Sequence, residues 1–112
     1  MPQNRSKLID LFIGNISNAI VHKILERSIN KEELTSKYRK ELITSYEIAK
    51  RYREKINPTN MPLPIKDIPY IKNKIANKVR LELLIRISKG YEINLGLMDE
   101  EINKALKDMK IL

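Results

Sequence analysis

The chain has no cysteine and no tryptophan, and only one histidine, one phenylalanine and three glycines in 112 residues. Without cysteine there is neither a disulfide framework nor a thiolate zinc site. Three glycines do not make a phosphate-cradling loop, and no serine stands in a nucleophile-elbow context. The lone His22 sits between Val21 and Lys23 in a helical pattern. There an imidazole at the edge of a core is the ordinary reading, well ahead of a catalytic one. The densest acidic group, Asp99, Glu100 and Glu101, falls at a helix start, where carboxylates complement the helix dipole. A metal-dependent nuclease would need acids converging from several segments. The expectation is therefore a protein that is not an enzyme and takes no cofactor and no metal.

Long uninterrupted apolar runs are also scarce. The apolar positions of the first thirty residues are broken by Asp10, Asn15, Asn18 and His22, so neither a signal peptide nor a membrane span is expected. The expected location is the cytoplasm, with no membrane partner.

What is present is a hydrophobic fraction of 42% beside 32% charged residues, above the composition of a disordered chain and sufficient for one domain over residues 1–112. The abundance of Ile, Lys and Glu gives the charged-surface composition seen in thermophilic proteins, a bias that an AT-rich genome also produces.

Periodicity predicts an all-α fold, a small bundle of three long helices and one short C-terminal helix. Ile9, Phe12, Ile13, Ile16, Ile20 and Ile24 mark a first helix over about 6–27, with Gly14 inside it for close packing and Asn15 and Asn18 facing out. The second helix starts from a capping box of Asn30 and Glu33 and follows Leu34, Tyr38, Leu42, Tyr46, Ala49, Tyr52 and Ile56 for roughly 26 residues, its tyrosines at the core edge. The third, over about 68–89, is predicted to be capped by Asp67, to follow Ile71, Ile75, Val79, Leu83 and Ile87, and to end at Gly90. Its stretch "LELLIRI" is apolar nearly all round, which predicts the central helix of the packing. "YEINLGL" reads as a loop, and Asp99 as the cap of a last helix over about 99–110.

Between the second and third helices lies "NPTNMPLPIKDIP", with four of the five prolines and no Gly or Ser. Proline restricts both itself and the residue before it, so this is a stiff corner in preference to a flexible linker or a docking peptide, with Met61, Leu63 and Ile65 folded over the bundle's end. Such a corner would set the third helix against the second.

The net charge of +8 is unevenly placed. Residues 57–90 carry seven basic and two acidic side chains, whereas residues 91–112 carry three basic and five acidic. On the second helix Lys37, Arg39, Lys40, Lys50, Arg51 and Arg53 cluster beside tyrosines, with Arg39, Lys50 and Arg53 as a cationic flank; on the third, Lys74, Lys78, Arg86 and Lys89 form a ridge interrupted by Glu82. Such a field attracts phosphate backbones, and arginine interleaved with tyrosine can stack on unpaired bases. The plain alternative is that these charges solvate the outside of a bundle. The sequence therefore predicts a nucleic-acid-binding accessory factor, DNA or RNA being undetermined. Its alternative is an interaction subunit or homodimer, with Tyr91, Ile93, Leu95 and Leu97 as the partner surface.

Overall fold

A computed structural model describes residues 5–29, 32–57 and 63–111. It contains the expected bundle: α1 (Arg5–Ser28), α2 (Glu32–Ile56), α3 (Asp67–Ser88), a 3-10 turn over Leu95–Leu97, and the short α4 (Met98–Asp108). The helices alternate in direction. Asn18 Nδ2 donates to Ser45 Oγ at 2.6 Å, His22 meets Glu41, and Arg39 donates to Glu26 at 2.6 Å, so α2 descends as α1 rises. Arg5 pairs with Asp67 at one end of α3, and the Asn94 amide donates to Ser28 Oγ at 3.1 Å beyond its other end, so α3 rises alongside α1. Arg27 holds Glu100 and Glu101 at 2.7 and 2.6 Å while Tyr46 donates to Asp108 at 3.1 Å, so α4 descends again.

The central helix is α1, not α3. Leu8, Phe12, Ile13, Ile16, Ala19, Ile20, Val21, Ile24 and Leu25 are all buried, and at 100° per residue they cover most of the circumference. The helix packs on α2, α3 and α4, whereas α2 and α3 barely touch. In α3 only the row Ile71, Ile75, Val79 and Leu83 is fully enclosed, and part of "LELLIRI" faces solvent. Of the polar breaks in α1, Asp10 and Asn18 are exposed, as expected for Asn18, whereas Asn15 is half-buried and His22 buried, each with a hydrogen bond inside its own helix. Asn15 Nδ2 donates to the Leu11 carbonyl at 2.9 Å, and His22 Nδ1 lies 2.7 Å from the Asn18 carbonyl. Contrary to expectation, α1 is long and apolar enough to cross a membrane by length and composition; here 67% of its apolar window is buried as bundle core.

Local expectations fare unevenly. Gly90 ends α3 in the left-handed region at φ 97°, with the Gly90 and Tyr91 amides bonded back to Ile87 and Arg86. Asp67 is not an N-cap: the helix begins at it, Lys66 before it is already helical without a side-chain cap, and Arg5 takes its carboxylate. Nor does Asp99 cap α4, which starts one residue earlier from the 3-10 turn, itself opened by Asn94 accepting from the Gly96 amide at 2.9 Å. Beyond its chain neighbours and its own helix backbone, no atom of the described residues lies within 4 Å of where a Cβ on Gly14 would sit, so close packing among them does not explain that glycine. At the corner Leu63 is buried as expected but Ile65 is exposed. The capping box of Asn30 and Glu33, the Leu34 side chain and Met61 lie outside the described residues.

Candidate nucleic-acid interface

The cations of α2 divide into three kinds. Lys37, Lys40, Lys50 and Arg51 are exposed and have no ion pair among the described residues. Arg39 is exposed but held by Glu26, which raises its guanidinium above the ordinary arginine range. Arg53 is 1% exposed. Of the predicted cationic flank of Arg39, Lys50 and Arg53, only Lys50 is both exposed and without an ion pair among the described residues, and Arg53 is too enclosed to reach a phosphate.

Instead Arg53 clamps the end of the bundle. Its Nε donates to the Met109 carbonyl at 2.7 Å, Nη2 to the Lys110 carbonyl at 3.2 Å, and Nη1 to the side-chain and backbone oxygens of Asn57 at 2.6 and 3.2 Å. Burial lowers its pKa, yet a guanidinium keeps its proton in proteins, and its hydrogen-bond partners here are carbonyl oxygens in place of a carboxylate. Lys110 takes the left-handed conformation at φ 60°, which costs a non-glycine residue about 1 kcal/mol. The bond from Arg53 to its carbonyl and the burial of Ile111 hold that turn in place.

On α3, Lys74, Lys78 and Lys89 are exposed along one side as predicted, while Arg86 is bonded to Glu82 at 3.1 Å. Lys66, Lys72 and Arg80 stand outside the predicted ridge. All three are exposed, and with Lys74, Lys78 and Lys89 they make six cations without an acid in ion-pair reach among the described residues. Lys74 Nζ stands 5.8 Å from the centre of the exposed Tyr70 ring, a cation–π pairing. The cations of α2 and of α3 thus lie on separate helices, each packed on α1 and in little contact with the other.

The remaining polar chemistry is structural. Tyr46 is pushed up to about 12, by burial first and then by its bond to Asp108. Arg27 lowers Glu100, chiefly through their hydrogen bond. A groove of about 510 Å³ opens between α1, α2 and α4, lined by Ala19, Ile20, Leu42 and Ala105, with Lys23, Glu47 and Lys104 of mixed sign beside them. Among the described residues no three His, Asp or Glu side chains gather as a metal site.

The expected partner surface divides as well. Ile93 and Leu97 pack against the core, and only Tyr91 and Leu95 remain exposed. A larger apolar display, on α3, was missed: Leu81 at 60% exposure, Leu84 at 43%, Ile85 at 40% and Tyr70 at 46%. Its signal was the excess of apolar residues in "LELLIRI" over the single row that a helix at the periphery can bury.

These features define the class: a small all-α bundle with a basic outer helix. Compared with protein-family models, with curated proteins and with solved structures, the chain matches none.

Proposed function

We propose that the protein binds nucleic acid through the phosphate backbone, with α3 as the principal contact, acting as a non-catalytic cytoplasmic accessory factor in DNA or RNA metabolism. The observation that carries this reading is the set of six exposed cations from Lys66 to Lys89 that have no ion pair among the described residues. Elsewhere on the molecule Arg5, Arg27 and Arg39 are neutralised by Asp67, Glu100 with Glu101, and Glu26. The uncompensated field is therefore strongest on α3, a rod about 33 Å long at 1.5 Å per residue. Lys37, Lys40, Lys50 and Arg51 supply a second, separate set on α2.

Backbone contacts release counterions, so each neutralised phosphate steepens the fall of log affinity with log salt by about 0.7–0.9. The test is fluorescence anisotropy with single-stranded DNA, duplex DNA and structured RNA across a salt series. Binding to at least one of them is expected, with a slope reduced by about 1–2 in the Lys74→Gln/Lys78→Gln variant. A slope near zero, or no binding at low salt, defeats the proposal.

A further inference from the structure

The outer face of α3 carries more than charge. Leu81, Leu84 and Ile85 fall at i, i+3 and i+4, and Tyr70 lies eleven residues, about three turns, before Leu81 on the same side. This seam points away from the enclosed row of Ile71, Ile75, Val79 and Leu83, so the bundle's core does not need it. Lys74 lies on the seam itself between Tyr70 and Leu81, Lys78 follows one edge and Arg80 the other, all exposed and without an acid partner among the described residues. From this arrangement we infer that the seam is a docking site for an acidic amphipathic helix of a partner protein.

Charge decides among the occupants. A second copy packing by two-fold symmetry would bring Lys74, Lys78 and Arg80 of both copies into one small apolar contact, six like charges together. A nucleic-acid backbone has use for the lysines but none for three aliphatic side chains at helical spacing. An anionic bilayer matches the signs, but its hold scales with buried apolar area, and this seam belongs to the class of a few hundred Å² at most. A helix with leucines at i, i+3 and i+7 fills the seam, and glutamates along both its edges face Lys74, Lys78 and Arg80. The inference stands on the apolar seam and does not rest on the nucleic-acid reading. A helix docked there covers Lys74 and Lys78 and so excludes a phosphate backbone from the same ridge.

The test uses the full chain and a fluorescein-labelled helical peptide of about five turns, with leucines on one face and glutamates on both edges. A comparator peptide has the same composition with its leucines scattered around the helix. The seam peptide is expected to bind at least about tenfold more tightly than the scattered one. The Leu81→Ser/Leu84→Ser variant, checked for unchanged helicity and melting, is expected to lose at least about tenfold in affinity for it. The inference is overturned if the two peptides bind alike, which makes the attraction charge alone, or if the double serine variant binds the seam peptide as well as the unaltered protein. It is equally overturned if sedimentation shows a dimer that the serine variant dissociates, or if the serine substitutions abolish binding to phosphatidylglycerol vesicles while the peptide does not bind.

Discussion

The helices α1 and α3 are similar in length, at 24 and 22 residues, and both are rich in isoleucine and leucine, yet they occupy opposite positions in the bundle. The former is enclosed nearly all round in spite of Asn15, Ser17, Asn18 and His22. The latter buries one row and turns Leu81, Leu84 and Ile85 outward. Apolar density does not decide which helix is central. A helix reaches the centre when neighbours flank it on several sides and its enclosed polar atoms find partners there, as His22 does at Glu41 and at its own helix backbone. The exceptions on α1 are the Ser17 hydroxyl and Glu26 Oε2, buried with no hydrogen-bond partner among the described residues. The difference is testable at its strongest point. Phe12, 0% exposed, is expected to cost about 3–5 kcal/mol as Phe12→Ala, measured by urea unfolding. A loss below about 1 kcal/mol would mean that α1 is not the enclosed helix.

Cations follow the same division between inside and outside. Arg51 and Arg53 are two residues apart on α2, yet one is exposed and the other is sealed beneath the C-terminal turn, where four hydrogen bonds run from its guanidinium to Asn57, Met109 and Lys110. Arg53→Met keeps the stem but leaves buried carbonyls without donors and the left-handed Lys110 turn without its clamp. The expected loss is roughly 2–3 kcal/mol, from acceptors that cost about 1–3 kcal/mol each when left dry. Arg51→Met is expected to stay within about 0.5 kcal/mol. Equal effects in the two variants would erase the distinction. The same pair separates stability from binding, since only Arg51 is available to a phosphate.

The helices themselves were legible in the sequence, and for a physical reason. A stripe such as Tyr38, Leu42, Tyr46, Ala49, Tyr52 and Ile56 records the period of a one-faced helix, and α2 follows it. Gly90 was legible because only a left-handed terminator suits a glycine there. The orientation of α3 was not legible, since a helix apolar on several sides does not say which side meets the core. The fate of Arg53 was hidden too. A wheel placed it beside the stripe, but its acceptors arrive from Met109 and Lys110, more than fifty residues away. Asp67 was misread as a cap because its partner, Arg5, is equally remote in the chain. Half of the expected surface at 91–97 went inward, because alternation in a loop marks which residues are apolar but not what they rest on.

The smallest expected effect sharpens the contrast most. Leu81→Ser and Leu84→Ser remove apolar side chains from a helix no less leucine-rich in appearance than α1, but from the face that no other element covers. What is lost is helix propensity and residual contact with neighbouring turns, together less than about 1 kcal/mol. If the pair instead costs about as much as Phe12→Ala, the outer face of α3 is packed in solution and the seam is already occupied. If the variant melts with the unaltered protein, those leucines contribute almost nothing to the fold, and their exposure beside Lys74, Lys78 and Arg80 has to be explained by what the helix meets.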